Sequence, residues 1–116
     1  MKKFTETHEY VIVNGNIAVV GISKKAADEL GDVTYVELPQ IGRNVKKGDI
    51  LCTIESVKAA EDVYAPISGK IIEVNNDLED SPEIINEDAE DKGWIAKIEI
   101  SNPSEIEELL DEEPEI

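Results

Sequence analysis

Short hydrophobic runs, several of which alternate with polar residues, recur along the chain and end near glycine, asparagine or proline. A period of two indicates β-strands with one buried face. The predicted strands span residues 8–13, 17–20, 33–38, 50–55, 63–64, 70–74 and 94–100. Asn14-Gly15 joins the first two strands and predicts a tight hairpin, because both residues tolerate positive φ angles. Ile50, Cys52 and Ile54 share one alternating face, so we expect all three to be buried.

One segment between the strands has helical spacing instead. It begins after Ser23, which can cap a helix N-terminus, and ends before Gly31, a typical C-terminal cap. The residues expected along its buried side are Ile22, Ala26 and Leu30. Lysines stand at its start and acidic residues near its end, which opposes the helix macrodipole. This helix is therefore expected to depend on tertiary packing.

The acidic second half of the chain predicts little further helix. Residues 75–90 are turn-prone, with one helical turn expected after Ser81-Pro82. A C-terminal helix is expected from Asn102-Pro103, and its apolar face would consist of Ile106, Leu109 and Leu110. Residues 111–116 are expected to be a frayed acidic tail. Many short strands and few small helices predict a mostly β protein, either a sandwich or a flattened barrel. No linker divides the chain, so residues 1–116 are expected to form a single domain.

The composition excludes several classes of partner. The 116 residues include 27 acidic and 11 basic side chains, which gives a net charge of −16. Such a surface repels phosphates and anionic lipids, so we expect neither nucleic acid nor membrane as a partner. No apolar run is long enough to cross a bilayer, and the N-terminal lysines have no hydrophobic segment behind them. A single cysteine cannot form an internal disulfide, so the expected location is the reducing cytoplasm.

The side chains also argue against catalysis by the chain itself. There is one histidine and one cysteine, so a metal cluster of those residues cannot be assembled without carboxylates. His8-Glu9 lacks the second histidine of the zinc-protease motif, and no glycine-rich phosphate loop is present. Carboxylates are too numerous for any pair to stand out as an acid/base couple. We therefore expect neither catalytic residues nor a metal site.

One lysine is distinguished by its position. Lys58 lies in a turn of small residues between the strand 50–55 and the return strand Val63-Tyr64, which Pro66 ends. Lysines in turns are usually solubilising surface charges. An amine on a flexible stem at a protruding turn is also accessible to a modifying enzyme. The turn alone does not decide between these interpretations.

The surrounding sequence resembles one protein family. Glu55-Ser56-Val57-Lys58-Ala59, followed by Tyr64-Ala65-Pro66-Ile67-Ser68-Gly69, is similar to the lipoyl-attachment region of glycine cleavage system H proteins. The similarity continues over nearly the whole chain, in the family's order and spacing. The further matching segments are Phe4-Thr5-Glu6-Thr7-His8-Glu9-Tyr10, Gly31-Asp32-Val33, Val36-Glu37-Leu38-Pro39, Gly93-Trp94 and Asn102-Pro103-Ser104-Glu105. The resemblance implies the barrel-sandwich hybrid of lipoyl domains, a flattened barrel with short peripheral helices and a C-terminal helix.

The resemblance also implies which residues form the site. It implies that lipoate is attached covalently, through an amide, to Lys58. Glu55 and Gly69 match positions associated with recognition by the lipoylating enzyme. The residues that match the cleft sheltering the loaded arm are Thr7, Glu9 and Asp62. A carboxylate in such a cleft suits the cationic nitrogen of an aminomethyl cargo.

The implied function is that of a shuttle in glycine cleavage. A pyridoxal-phosphate glycine decarboxylase (P-protein) loads an aminomethyl group onto the arm, and a tetrahydrofolate-dependent aminomethyltransferase (T-protein) removes it. Dihydrolipoamide dehydrogenase (L-protein) reoxidises the resulting dithiol, and a lipoate ligase or lipoyl transferase installs the arm. The chain would be a substrate of these enzymes and a catalyst of no step. We expect a monomer, because a shuttle must present its arm to several enzymes.

Other functions stay open from the sequence. An H-like carrier could relay lipoate to other enzymes or serve sulfur oxidation. A biotin carrier is disfavoured, because Val57 and Ala59 flank Lys58 where biotin domains usually have methionines. An acidic interaction domain without a prosthetic group predicts an unmodified lysine that arginine can replace.

Overall fold

Two antiparallel β-sheets form most of the structure, a computed structural model that describes residues 1–115. The strands of this part of the chain are β1 (Lys2–Phe4), β2 (Glu9–Asn14), β3 (Ile17–Ile22), β4 (Val33–Glu37), β5 (Asn44–Val45), β6 (Ile50–Ser56), β7 (Ala60–Tyr64), β8 (Gly69–Val74) and β9 (Ala96–Ile100). The larger sheet has the strand order β1-β2-β3-β9-β8-β5, and the smaller sheet has the order β4-β6-β7.

One hydrophobic core joins the two sheets. The larger sheet contributes side chains such as Val11 and Ile98, and the smaller sheet contributes Val36, Ile54 and Val63. Each of these side chains is at most 2% exposed. Burial of a side chain of this size contributes about 1.5–3 kcal/mol to folding. The arrangement confirms the predicted fold class, a flattened barrel of two sheets with short peripheral helices.

The predicted strands are confirmed where neighbouring residues mark the turn between them. Asn14 pairs with Ile17 and Gly15 has a φ of 58°, which confirms the predicted hairpin. The expected burial of Ile50 is wrong, because its side chain is 47% exposed. The pairing of β6 with β7 shifts register between Ile50 and Cys52, and such an irregularity breaks the strict alternation of faces.

Helix α1 (Lys24–Leu30) begins and ends where the sequence predicts. The Ser23 hydroxyl accepts a hydrogen bond from the backbone N–H of Ala26 at 3.1 Å, and Gly31 ends the helix with a φ of 81°. Ala27 and Leu30 are the buried residues of this helix, whereas Ala26, expected on the buried side, is only partly buried. The first turn has no acidic residue and the last turn no basic one, so packing of Ala27 and Leu30 holds the helix in place.

The second half of the chain differs from its prediction in two places. Helix α3 (Ile84–Asp88) follows Ser81-Pro82 as expected, although its N-cap is Glu83 and not Ser81, whereas α2 (Asp77–Asp80) was not predicted. Each helix is anchored by one fully buried side chain, Leu78 in α2 and Ile85 in α3. The C-terminal helix is a 3₁₀ helix, Pro103–Glu108, which contains neither Leu109 nor Leu110. The predicted helical face is therefore wrong.

The chain leaves the 3₁₀ helix because it pairs with the N-terminal strand. Leu110 and Phe4 exchange two backbone hydrogen bonds of 2.8 Å, which requires an extended backbone. Strand β1 itself lies outside the predicted strands, since two of its three residues are lysines. Of the predicted acidic tail, Ile116 lies outside the described residues, whereas Asp111 forms an ion pair with Lys3. No helix within residues 1–115 has the length and apolar character needed to span a membrane.

Candidate functional site

Lys58 lies at the tip of the hairpin that joins β6 to β7. The Ser56 hydroxyl accepts hydrogen bonds of 3.2 Å from the backbone N–H groups of both Lys58 and Ala59. The Ser56 N–H donates to the carbonyl of Ala59 at 2.8 Å, and the Val57 N–H donates to the carbonyl of Asp32 at 3.0 Å. The turn is thus exposed, yet its backbone is held by its own serine and by the α1–β4 connection.

The Lys58 side chain lies across the C-terminal end of α1. Its Nζ donates to the backbone carbonyl of Glu29 at 3.3 Å. A Cβ atom at Gly31 would lie only 3.2 Å from Lys58 Cε, so the glycine leaves room for the lysine stem. The acceptor is a neutral carbonyl rather than a carboxylate. Acylation of this amine would therefore break none of the ion pairs that residues 1–115 contain.

A cleft of about 270 Å³ lies on the other side of Glu29, the residue whose carbonyl the lysine contacts. Three parts of the chain form its walls: the loop before β2, helix α1 with the end of β3, and the β6–β7 hairpin. The lining residues are Thr7, His8, Glu9, Ile22, Ala26, Glu29, Leu30, Ile54, Glu61, Asp62 and Val63. Glu29 also lines the shallow pocket that contains Lys58. Glu29, near the end of α1, is thus shared by the cleft and by the pocket of the amine.

Glu9 is the most buried charged group of the cleft, at 2% exposure. Its Oε1 accepts a 2.6 Å hydrogen bond from the Thr5 hydroxyl and another from the Thr7 hydroxyl. Its Oε2 accepts from the Tyr64 N–H at 3.3 Å, which links the loop to β7. Burial raises the pKa of the Glu9 carboxyl above its ordinary range, and these hydrogen bonds act in the opposite direction.

Thr7 and Asp62 complete the polar part of the cleft that the sequence predicted. Asp62 is an exposed residue of β7, and its Oδ1 accepts a 3.1 Å hydrogen bond from the Thr53 hydroxyl. The structure thus brings Thr7, Glu9 and Asp62 to one cleft from two distant stretches of sequence. Of the two predicted acidic groups, Glu9 is buried and Asp62 is exposed, and Glu29 and Glu61 add further negative charge, an arrangement suited to a small cationic group.

Glu55 and Gly69 do not belong to this cleft. Glu55 is an exposed residue of β6 close to the turn of Lys58. Gly69 is buried at the start of β8 and pairs with Val45 and Ile100 on the other sheet. A Cβ atom at Gly69 would lie 2.1 Å from the Glu99 carbonyl oxygen, so strand packing alone requires glycine there.

Sequence reasoning missed the helical wall of the cleft. Ala26, Glu29 and Leu30 of α1 line the cleft, although the sequence predicted only burial for Ala26 and Leu30 and an unfavourable charge for Glu29. Their spacing of three and four residues marks one helix face, and this signal was present in the sequence. The spacing alone could not identify which elements pack opposite this helix face, because the β6–β7 hairpin and the loop before β2 approach α1 only in the folded chain.

The thiol of Cys52 has no part in the cleft chemistry. Cys52 is 3% exposed, and burial raises the pKa of its thiol to about 12. It therefore stays protonated and unreactive, consistent with the expectation that it is a small buried hydrophobe. Within residues 1–115, no group of three or more His, Cys, Asp or Glu side chains is arranged to hold a metal ion.

Comparison with known proteins decides the family. A family model described as Glycine cleavage H-protein matches residues 2–115. The chain belongs to this family. It is 58% identical over 113 residues to the glycine cleavage system H protein of Thermotoga maritima, a match that covers 97% of this chain and 91% of the relative. The corresponding protein of Xanthobacter autotrophicus is 54% identical over 110 residues, which covers 95% of this chain and 88% of the relative.

A solved structure agrees with the fold. The crystal structure of a glycine cleavage system H protein from Mycobacterium marinum matches with a TM-score of 0.81 at 34% identity, covering 86% of this chain and 84% of that one. The family and the fold predicted from the sequence are thus confirmed. As a member of this family, the chain is a carrier of the glycine cleavage system and not one of its catalysts. Lipoate relay or sulfur oxidation is not favoured.

Proposed function

We propose that the Nζ atom of Lys58 carries lipoate in amide linkage. The position fits the group, because Lys58 lies in an exposed turn whose backbone is held by Ser56. Its amine donates to a neutral backbone carbonyl, so conversion of the amine to an amide breaks no ion pair. When bound, lipoate supplies a disulfide that can accept a one-carbon cargo and be reduced to a dithiol. The protein supplies the position of the arm and the place where the cargo is kept.

Glu9, Asp62 and Thr7 hold the aminomethyl cargo in the proposed function. Its nitrogen is cationic, and the carboxylates of Glu9 and Asp62 provide opposite charge in the cleft. The Thr7 hydroxyl keeps the Glu9 carboxylate oriented. Ile54, Val63 and Leu30 supply apolar lining, which limits access of water to the hydrolysable group. The observation that carries this proposal is the contact of the Lys58 amine with Glu29, a residue that also lines the cleft.

The partners in this proposal are enzymes that must each reach the same arm. They are the glycine decarboxylase that loads it, the aminomethyltransferase that unloads it, dihydrolipoamide dehydrogenase, and a lipoate ligase or lipoyl transferase. We propose that the protein meets them as a monomer in the cytoplasm. Glu55, exposed on the hairpin near Lys58, is the side chain best situated for recognition by the lipoylating enzyme. Gly69 acts indirectly in this proposal, through the strand packing that its missing Cβ permits.

The experiment is an intact-mass assay with a competent lipoate ligase. We compare the wild-type chain with Lys58→Arg and with the matched control Lys25→Arg, since Lys25 is exposed and lines the same shallow pocket. The wild type and the control should each gain one lipoyl group, and Lys58→Arg should gain none. Modification of Lys58→Arg, or failure of the wild type to react, would exclude Lys58 as the carrier residue.

A second stage of the same assay tests the cargo. The lipoylated protein is incubated with an active glycine decarboxylase, glycine and pyridoxal phosphate, and an aminomethyl mass should appear. A lipoylated chain that never gains this mass would instead support lipoate relay or sulfur chemistry.

A further inference from the structure

The C-terminal segment after the 3₁₀ helix contacts β1 and a residue that lines the cleft. Leu110 is paired with Phe4 through two backbone hydrogen bonds, and Asp111 forms an ion pair with Lys3. These contacts direct the chain past the N-terminal strand, and Glu113 then reaches a side chain that lines the cleft, His8.

Glu113 makes two contacts through one oxygen. Its Oε2 lies 2.9 Å from Nδ1 of His8 and also accepts a hydrogen bond from the Ser23 hydroxyl. The Glu113 side chain is only 10% exposed. An ionised carboxylate can only accept hydrogen bonds, so Nδ1 of His8 carries a proton in this arrangement. Ser23 is fully buried and also accepts from the Ala26 N–H as the cap of α1.

The two partners of Glu113 belong to two different walls of the cleft. His8 lies in the loop that presents Thr7 and Glu9, and Ser23 begins the helix that presents Ala26, Glu29 and Leu30. His8 has a φ of 67°, the only positive value for a non-glycine residue within residues 1–115. A backbone of this kind persists only where its surroundings hold it.

We propose that Glu113 is a positioning residue of the cleft, which joins the loop of His8 to the N-terminal cap of α1. Through these two contacts it keeps Thr7 and Glu9 at a constant distance from the helical wall and so keeps the cargo away from water. The inference rests on the function proposed above for Lys58 and the cleft. It adds a residue from the opposite end of the chain that touches neither lysine nor cargo.

The test uses the full-length chain in four forms: wild type, Glu113→Ala, Glu113→Gln and the control Glu112→Ala. Glu112 is an exposed neighbour, so its replacement makes the same change in charge without the two contacts. The first measurement is the ¹⁵N NMR signature of His8, the only histidine of the chain, on unlipoylated protein in alkaline buffer. The wild type and Glu112→Ala should show the Nδ1–H tautomer, and Glu113→Ala should show a mixture of both tautomers.

The second measurement is the lifetime of the loaded arm. Each lipoylated protein is loaded by immobilised decarboxylase, separated from it, and followed by intact mass. The cargo should be lost about tenfold faster from Glu113→Ala than from wild type, as expected for loss of a hydrogen bond to a charged group. Glu113→Gln, which keeps one acceptor oxygen, should fall between them. The rate at which dihydrolipoamide dehydrogenase oxidises the reduced arm should be unchanged, since that step does not use the cleft.

The outcomes separate this inference from the proposed function. If the wild type never takes the cargo, the proposed function fails and the inference fails with it. If the wild type takes the cargo and Glu113→Ala loses it at the wild-type rate, only the inference is overturned. Equal acceleration in Glu112→Ala would also overturn it, because the effect would then be one of charge alone. If the midpoint of thermal unfolding of Glu113→Gln lies within a few degrees of that of the wild type, the shorter lifetime of its loaded arm is not caused by unfolding.

Discussion

In the proposed function the hairpin of Lys58 and the start of β2 at Glu9 form one site, but they are held in different ways. The hairpin is exposed, and Ser56 within the turn itself accepts the hydrogen bonds of Lys58 and Ala59. Glu9, the first residue of β2, has a buried carboxylate whose partners include Tyr64 from the other sheet. The exposed turn is held mainly by neighbours in sequence, whereas the buried carboxylate adds to its neighbours Thr5 and Thr7 a donor, Tyr64, that only folding brings close.

This difference matches the demands that each region would meet in the proposed function. An attachment lysine must be reached by several enzymes, so its turn must keep its shape without being covered. A group that holds a cationic cargo must be shielded from water, and shielding a carboxylate requires donors from several elements. The contrast also predicts that changes in the two regions will affect stability and function to different degrees.

The largest expected effect on stability is that of Glu9→Ala. The substitution removes a 2%-exposed side chain and leaves the Thr5 hydroxyl and the Tyr64 N–H without their partner. We expect the free energy of unfolding to fall by about 2 kcal/mol. The free energy of unfolding is measured by urea denaturation, with tryptophan fluorescence as the signal. A loss smaller than that of the hairpin substitution described next would contradict the comparison.

Ser56→Ala should have a smaller effect on stability and a clear effect on modification. The turn loses the acceptor for two backbone N–H groups but remains solvated, so we expect a loss of about 1 kcal/mol. Lipoylation by the ligase should slow several-fold, because Lys58 is then presented in many conformations. Ser101→Ala, at another exposed serine, is the control and should change neither quantity. Unchanged lipoylation of Ser56→Ala would show that the turn needs no such rigidity.

The smallest predicted effect is a dependence of stability on pH. Burial raises the pKa of Glu9 above its ordinary value of 4.5 in the folded protein. The folded state therefore holds a proton that the unfolded state has already lost, and the contribution of Glu9 to stability falls as pH rises through this interval. Glu9→Gln does not titrate there. Its stability relative to wild type should thus increase as the pH rises above 4.5, as measured by urea denaturation. If the difference in free energy of unfolding between the two proteins does not change with pH, the pKa of Glu9 is not raised by folding.

The same contrast explains what the sequence could and could not predict. The Asn14-Gly15 turn, the Ser23 cap and the Lys58 hairpin follow from neighbouring residues, and all three were predicted. Thr7, Glu9 and Asp62 were indicated by the resemblance to a family and by no local pattern. The helical wall and the Glu113 contacts could not be predicted, because they depend on the approach of distant segments. Strand β1 was not predicted, because two of its three residues are lysines.

The most direct test of the account is NMR of the lipoylated protein before and after it is loaded with the aminomethyl group. The central claim is that Lys58 and the acidic cleft act as one site. Backbone amide signals of Thr7, Glu9 and Asp62 should then shift on loading, together with those at the end of α1. Changes confined to residues 56–60 would show that the loaded arm stays in solvent, and would contradict the claim.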